Sequence, residues 1–376
     1  MRGIKLTDLR LQYQEIGEEI EKVIRRVLEE GEFILGRELE RFEEELAEFC
    51  GVEYAVGVAS GTDALVIALL ALGIGKGDAV ITSPFTFIAT AEAIIRVGAK
   101  PVFADICFQD LTLDPKEIEQ CLSTGKENFR AILPVHLYGQ MANMERIREI
   151  ADRYRLKVIE DAAQAIGGEI KTRAGVIKVG TISDVGCLSF FPSKNLGGCG
   201  DGGAIITNSK EIAEKAKVLR NHGGRNGRYL FHGLNSRLDN LQAGVLRVKL
   251  KYLNSWLKMR QRNARYYNEL LKGIPNLLLP SVERGGVFNY YTIRIKGNRR
   301  ERVEKMLKKE GVESAVYYPV CLHLQEVYRE LGYKQGDFPV AEQAQKEVLS
   351  LPMYPELRKE EIEKIADLVK RALKES

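Results

Sequence analysis

A single lysine stands among residues that could change its chemistry. Residues 187–201 read CLSFFPSKNLGGCGD, an apolar run that ends at Ser189 and is followed by Lys194 and several glycines. Apolar, tightly turned surroundings disfavour the charged form of a lysine, so its pKa falls and its amine can attack carbonyl groups. The segment therefore predicts Schiff-base chemistry at Lys194. Taken alone, it is explained equally well by an ordinary surface lysine on a loop.

A carboxylate follows a second apolar run. Residues 159–164 read IEDAAQ, so Asp161 lies where a buried strand would end, and open α/β sheets bind ligands at the carboxyl ends of their strands. A buried aspartate there could hold the protonated ring nitrogen of pyridoxal phosphate through a charge-assisted bond, which keeps that cofactor an electron sink. Gln164, three residues later, could reach the hydroxyl side of the ring. The alternative is that Asp161 caps the next helix.

Two further segments could complete such a site. Ser60-Gly61-Thr62 lies between a predicted strand and a predicted helix, and the N–H groups at a helix N-terminus bind phosphate. A plain capping turn is the alternative. Ser189 could add a hydroxyl to the same phosphate. In residues 83–87, SPFTF, either phenylalanine could lie against a flat heterocycle, although such side chains more often pack into the core.

The segments between these residues predict the framework that positions them. Short apolar runs alternate with helical periodicity from residue 50 to about 207, which is typical of a mostly parallel sheet covered on both faces. Helices are predicted at residues 63–72, 143–155 and 209–220, and Asp114-Pro115 begins another. The seven predicted strands are residues 54–58, 79–82, 101–104, 131–135, 157–159, 187–190 and 204–207. The fold class is therefore α/β.

The chain changes character after about residue 237. Residues 238–271 predict one long helix rich in Lys, Arg and Tyr. A smaller α+β unit follows, with a strand at residues 290–295 and helices at 299–310 and 359–374. We therefore predict a large domain over residues 1–245 and a small C-terminal domain over residues 246–376. At about 100 to 200 residues per domain, the chain is long enough for two.

Composition excludes several classes of protein. The 56 Lys and Arg residues nearly balance the 52 Asp and Glu residues, and the net charge of +4 predicts no nucleic-acid partner. The six cysteines are far apart and there are four histidines, so we expect neither a metal site nor disulfide staples. Residues 1–10 lack the apolar core of a secretory signal, and the longest clean apolar run, residues 64–72, is about half of a membrane span. These features predict a cytoplasmic protein without a membrane segment.

Taken together and in order, these motifs resemble the DegT/StrS family of nucleotide-sugar aminotransferases, which are pyridoxal phosphate enzymes of fold type I. The resemblance extends from GEFILG at residues 31–36 to LSLPMYP at residues 349–355, nearly the whole chain. It implies a large domain with a mostly parallel seven-stranded sheet and a small α+β domain. The segments that carry it are residues 59–65, 84–90, 160–165, 189–197 and 233–239.

The resemblance also implies a role for each site residue. Lys194 would form the Schiff base with pyridoxal phosphate, Asp161 would pair with the pyridine nitrogen, and Gln164 would lie beside the ring hydroxyl. Phe87 would stack on the ring. The phosphate would be bound by Gly61, Thr62 and Ser189, and by Asn235 of the partner subunit. The last contact implies a homodimer with two shared active sites.

The implied reaction moves an amino group from L-glutamate to a keto sugar carried on a nucleoside diphosphate. Gln164 favours a 3-keto-6-deoxyhexose, since members of the family that act at C3 commonly carry Gln there and those that act at C4 commonly carry His. Residues 317–319 read YYP where relatives usually read HYP, a difference near the expected sugar pocket. The expected substrate contacts are Arg237, Tyr317 and His323. Arg225 and Arg228 could also meet the diphosphate, although solvated loop charges explain them equally well.

Three alternative functions share this fold. A sugar 3-dehydratase would carry another residue, commonly His, in place of Lys194, so this lysine speaks against it. An aminotransferase that acts at C4 differs only in the shape of its pocket, and the sequence does not exclude it. A non-catalytic regulatory or structural member of the family would be a colourless protein.

Overall fold

The computed structural model of this chain describes residues 3–172, 175–283 and 285–374. Its helices are α1 (Leu9–Glu30), α2 (Arg37–Cys50), α3 (Gly61–Ala71), α4 (Ala89–Arg96), α5 (Pro115–Ser123), α6 (Met144–Tyr154), α7 (Lys210–Leu219), α8 (Asn240–Leu271), α9 (Arg300–Lys309), α10 (Pro339–Glu347) and α11 (Lys359–Lys374). Within those three ranges, no helix has both the length and the apolar character needed to cross a bilayer.

The strands alternate with these helices in the first half of the chain. They are β1 (Tyr54–Val58), β2 (Ala79–Thr82), β3 (Lys100–Phe103), β4 (Phe129–Leu133), β5 (Lys157–Asp161), β6 (Glu169–Thr172), β7 (Gly175–Lys178), β8 (Val185–Ser189), β9 (Gly203–Thr207), β10 (Gly224–Arg225), β11 (Arg228–Tyr229), β12 (Leu277–Leu278), β13 (Tyr291–Ile295) and β14 (Val348–Leu351). Short 3-10 helices cover Leu137–Gly139, Leu322–Leu324 and Glu326–Leu331.

A seven-stranded sheet in the order β1-β9-β8-β5-β4-β2-β3 forms the centre of the larger unit. The pairs from β8 to β3 are parallel, whereas β9 runs antiparallel to both β1 and β8. Parallel neighbours need a long crossover, but antiparallel neighbours need only a loop. Residues 190–202 join β8 to β9 as such a loop, and this loop carries Lys194. The predicted mostly parallel, seven-stranded sheet is confirmed.

The predicted boundaries of strands and helices differ from the observed ones by at most two residues. One of the larger shifts is in β4, which was predicted through residue 135 and ends at Leu133. Pro134 ends the strand because proline has no N–H to donate, and its carbonyl accepts a hydrogen bond from the Asp161 N–H at 2.9 Å. The helices α1, α2, α4 and α10 and the hairpin of β6 and β7 were not among the predicted elements.

A second unit surrounds the antiparallel sheet β12-β13-β14, and α9 and α11 contribute to its core. The helix α8 belongs to both units. Val245 and Val248, in its first half, pack with α1, whereas Ala264 and Tyr267, in its second half, lie in the core of the smaller unit. The predicted small α+β unit is therefore present after the long helix. The boundary at residues 245 and 246 stays a prediction.

Candidate active site

A pocket of about 590 Å³ opens at the carboxyl ends of β1, β5 and β8, and residues 316–319 of the smaller unit form part of its wall. This is the edge at which open α/β sheets bind ligands. The predicted site residues that line it are Gly61, Thr62, Phe87, Asp161, Gln164, Ser189, Lys194 and Tyr317. The structure thus brings together the residues that were predicted for the cofactor within one protomer, and one of those predicted for the substrate.

Lys194 lies where the chain doubles back between β8 and β9. The backbone N–H of Lys194 donates to the backbone carbonyl of Phe191 at 2.8 Å. Gly197 keeps the loop tight, because a Cβ at that position would lie 2.2 Å from the Pro192 carbonyl oxygen. Burial lowers the pKa of Lys194 to about 8, and the negative charge of Asp161 opposes this change. A part of the Lys194 side chains is therefore neutral near physiological pH, and a neutral amine can act as a nucleophile.

Asp161 ends β5 and is buried, with 6% of its surface exposed. Its Oδ2 accepts a hydrogen bond from the Thr90 hydroxyl at 2.8 Å, and its Oδ1 accepts one from the Ala163 N–H at 3.2 Å. Burial raises the pKa of Asp161, while these two donors and the charge of Lys194 oppose the increase. Residues 163–167 form turns, so the alternative that Asp161 caps a helix is wrong. A carboxylate in this position can bind a cation that enters the pocket.

The start of α3 lies beside the loop that carries Lys194 and has groups that could bind an anion. Ser60 is the N-cap, and its Oγ accepts a hydrogen bond from the Asp63 N–H at 3.1 Å. Gly61 allows β8 to approach closely, because a Cβ there would lie 2.7 Å from the Cβ of Ser189 and 3.0 Å from its Oγ. The first N–H groups of a helix have no partner within it and form the positive end of its dipole. Together with the side chains of Thr62 and Ser189, they suit a phosphate.

Aromatic side chains form another part of the wall. Phe87 is 55% exposed, and its ring centroid lies 6.1 Å from that of Tyr318. The rings of Tyr290 and Tyr317 lie 4.5 Å apart. Phe87 and Tyr317 are predicted site residues, whereas Tyr290 and Tyr318 are not. Tyr318 lies within the quoted YYP stretch, whereas no local signal distinguishes Tyr290 from other tyrosines. A flat ligand would meet uncharged aromatic faces on this side.

Gln164 connects three parts of the pocket. Its Nε2 donates to the Tyr318 hydroxyl at 3.3 Å, and its Oε1 accepts a hydrogen bond from the Tyr138 N–H. The Tyr138 hydroxyl in turn donates to the Tyr317 carbonyl. The amide is therefore oriented by the segment after β4 and by the smaller unit. Its place beside a ring hydroxyl stays a prediction.

His323 does not line the pocket, contrary to the prediction that it contacts the substrate. It is 2% exposed, and its Nε2 lies 3.1 Å from Glu342 Oε1 on α10. Its ring packs edge-on against Phe338, with centroids 4.8 Å apart. The chain turns through the 3-10 helix Leu322–Leu324 after the YYP stretch, so His323 packs against α10 and not beside Tyr317.

The other predicted contacts lie away from the pocket of their own protomer. Asn235 is exposed and forms an isolated β-bridge with Asn221. Arg237 donates to the Asn221 Oδ1 at 2.9 Å. Arg225 and Arg228 belong to the short hairpin of β10 and β11. The predicted contacts of Asn235 with a partner's cofactor and of the arginines with a diphosphate stay predictions.

The mostly parallel seven-stranded sheet, with a lysine at its carboxyl edge, is the fold of solved aminotransferases. Comparison with known proteins places the chain within this class. It belongs to the DegT/DnrJ/EryC1/StrS aminotransferase family, whose profile matches residues 14–370. The resemblance that the motifs indicated is therefore confirmed.

Similar proteins match the chain along its whole length. The pleiotropic regulatory protein of Geobacillus stearothermophilus is 45% identical over 375 residues, which cover 97% of this chain and 98% of that protein. The UDP-N-acetyl-3-dehydro-alpha-D-glucosamine 3-aminotransferase of Acidithiobacillus ferrooxidans is 44% identical over 374 residues, which cover 99% of this chain and 98% of that enzyme. The crystal structure of S. venezuelae DesV in complex with a ketimine intermediate has a TM-score of 0.95 and 39% identity, with 100% of both chains covered.

Proposed function

We propose that this protein is a pyridoxal phosphate-dependent aminotransferase that moves the amino group of L-glutamate to C3 of a 3-keto-6-deoxyhexose carried on a nucleoside diphosphate. The pairing of Lys194 with Asp161 in one pocket carries the proposal. Burial lowers the pKa of Lys194 to about 8. Asp161 is a buried carboxylate at the end of β5, the strand that pairs with β8 before the Lys194 loop. Pyridoxal phosphate needs one group of each kind, an amine for its aldehyde and an anion for its ring nitrogen.

The residues of the pocket fit this cofactor. The turn at the start of α3 suits its phosphate, and Asp161 suits its pyridine nitrogen. When bound, pyridoxal phosphate supplies an aldehyde that accepts the amino group and a ring that stabilises negative charge on the adjacent carbon. Phe87 would lie against the ring and Gln164 beside its hydroxyl. The phosphate would be held by Gly61, Thr62 and Ser189, and by Asn235 of the partner subunit.

Lys194 and Asp161 divide the proton chemistry. In its neutral form, Lys194 Nζ would take the proton from the α-carbon of the amino donor. It would then donate this proton to the C4′ carbon of the cofactor. A group whose pKa lies near the working pH is suited to both steps. The Asp161 carboxylate would keep the ring nitrogen protonated, since a buried anion stabilises a neighbouring cation strongly.

Two observations support reaction at C3 of the sugar. Gln164 occupies the position at which relatives that act at C3 commonly carry Gln, and the A. ferrooxidans relative is named as a 3-aminotransferase. The uncharged wall of Tyr290 and Tyr317 suits the apolar methyl group of a 6-deoxy sugar.

Incubation of the aminated enzyme with 3-keto and 4-keto nucleotide sugars tests whether the amino group goes to C3. Amination of the 4-keto sugar alone would establish the C4 alternative instead.

We also propose that the protein is a homodimer with shared active sites. Tyr229, Leu230 and Phe231 follow the β10–β11 turn and are 79%, 54% and 45% exposed. An exposed apolar cluster of this kind marks an interface, and Asn235 lies on the same loop. Leu230→Glu should produce a monomer in light scattering that also binds the cofactor weakly. Val176→Glu, at an equally exposed apolar residue of β7, is the control, and a Leu230→Glu dimer with full cofactor would contradict this interface.

The name of the Geobacillus relative favours one other function, a non-catalytic regulatory role. Such a protein would need no cofactor and would have no visible absorption. The aminotransferase should absorb at about 400–430 nm after addition of pyridoxal phosphate, because the amine of Lys194 condenses with the aldehyde. A colourless protein that regulates transcription or signalling would support the regulatory role.

Hydride trapping tests the proposed function directly. Borohydride reduction followed by peptide mass spectrometry should locate one pyridoxyl group on Lys194. Lys194→Ala should lose both the adduct and the visible band, whereas Lys76→Ala, at an exposed lysine, should keep both. An adduct on another residue, or none in fully reconstituted protein, would overturn the proposal.

A further inference from the structure

Two buried threonines lead from the wall of the pocket to Asp161. Thr86 is 3% exposed and lines the pocket, and Thr90 is fully buried. The Thr90 Oγ1 lies 2.8 Å from Asp161 Oδ2, and the Thr86 Oγ1 lies 3.0 Å from the Thr90 Oγ1. The function proposed above assigns no role to either hydroxyl.

The number of available protons gives this chain of hydrogen bonds a direction. An ionised carboxylate only accepts, so the single hydroxyl proton of Thr90 is donated to Asp161. The Thr90 oxygen can then only accept from Thr86, which must donate. Thr90 is the second residue of α4, where a threonine hydroxyl often bonds within its own helix. Here it bonds instead to a strand 71 residues further along the chain.

The Thr90 bond is the shorter of the two that fix the Asp161 carboxylate. The other donor is the Ala163 N–H at 3.2 Å. His136 does not take the place of Thr90. Its ring Nε2 lies 2.8 Å from Glu160 Oε2, and its backbone N–H donates to the backbone carbonyl of Asp161, not to the carboxylate. Without the Thr90 hydroxyl, the carboxylate would keep only the longer bond and could rotate. Among the described residues, the titratable groups that interact electrostatically with Asp161 include Lys194, His136, Cys187 and Tyr318.

We propose that Thr90 is a positioning residue for the Asp161 carboxylate and that Thr86 holds Thr90 in place. The two hydroxyls keep the carboxylate in one orientation toward the pocket. A charge-assisted hydrogen bond also stabilises the ionised form of a carboxylate. The ionised carboxylate would therefore leave the proton on the ring nitrogen of a bound cofactor. The inference rests on the cofactor proposed above.

Replacement of Thr90 by Val keeps the shape of the side chain and removes the hydroxyl. We expect the affinity of the apoprotein for pyridoxal phosphate to fall about ten-fold to one hundred-fold in fluorescence titrations, as expected for one lost bond to a charged group. The pH at which the visible band of the bound cofactor changes should also rise. A ring that is less protonated withdraws less electron density from the nitrogen that joins the cofactor to Lys194, so the pKa of that nitrogen increases. Thr90→Ser should restore both values. Thr86→Val should change both in the same direction by less.

Thr82→Val is the matched control. Thr82 is as buried as Thr90, and its hydroxyl donates to the Leu133 carbonyl at 2.8 Å, so its loss removes a similar bond without changing those at Asp161. The positioning role is overturned if Thr90→Val leaves both values unchanged, if Thr82→Val changes them as much, or if Thr90→Ser fails to restore them. If Thr90→Val does not fold, Thr86→Val decides, since unchanged affinity there would overturn the role.

The two proposals fail in different ways. A wild-type protein that forms no adduct with pyridoxal phosphate at Lys194 would overturn the proposed function. A wild-type protein that forms the adduct, together with a Thr90→Val variant that binds the cofactor equally well, would overturn only the role of Thr90.

Discussion

The lowered pKa of Lys194 should make the stability of the cofactor-free protein depend on pH. The pKa of a lysine in an unfolded chain is about 10.4, whereas burial lowers the pKa of Lys194 to about 8 in the folded protein. Between these values the unfolded chain binds more protons than the folded chain, so the free energy of unfolding rises with pH. Lys194→Met removes the titrating group and should remove this part of the slope.

The width of the pH window determines the size of the effect. Each pKa unit corresponds to about 1.4 kcal/mol, so between about pH 8 and 9.5 the wild type should gain about 2 kcal/mol relative to Lys194→Met. Guanidinium unfolding of both apoproteins at several pH values measures this difference. Lys76→Met, at an exposed position, should follow the wild type. A difference between wild type and Lys194→Met that stays constant over this range would refute the desolvation of Lys194, and with it our account of its nucleophilicity.

Two further substitutions test the packing around the site. Gly203→Ala should lower the free energy of unfolding by about 1–3 kcal/mol and weaken cofactor binding, because its Cβ would lie 2.3 Å from the Ser60 carbonyl oxygen. Gly75→Ala, whose Cβ would approach no atom more closely than 3.5 Å, should be neutral, and an equally neutral Gly203→Ala in urea unfolding would contradict this packing. His136→Phe should cost about 3 kcal/mol, because the fully buried Glu160 would lose the ring nitrogen 2.8 Å from its Oε2. Calorimetry that shows no loss of stability would mean that Glu160 finds another partner.

Local sequence patterns were sufficient to predict most of the elements and the place of the chemistry along them. A strand buried on both faces is a short apolar run, so the first polar residues after the run mark its carboxyl end. Asp161 and Ser189 could be placed at the sheet edge for this reason, and Ser60 and Gly61 at the start of α3 because they separate a strand pattern from a helical one. The helices α1 and α2 escaped prediction although they are amphipathic.

Contacts between distant segments could not be predicted in this way. The sequence by itself determined that a candidate phosphate turn, a strand-end carboxylate and a lysine among glycines occur in this order along the chain, because each depends on a few adjacent residues. Only the tertiary structure decided that β9 runs antiparallel beside β8, that Thr90 bonds to Asp161, that Tyr290 reaches the pocket and that His323 does not. The physical reason is that a side chain's neighbours across the fold depend on how whole elements pack, and neither periodicity nor spacing along the chain encodes which elements meet.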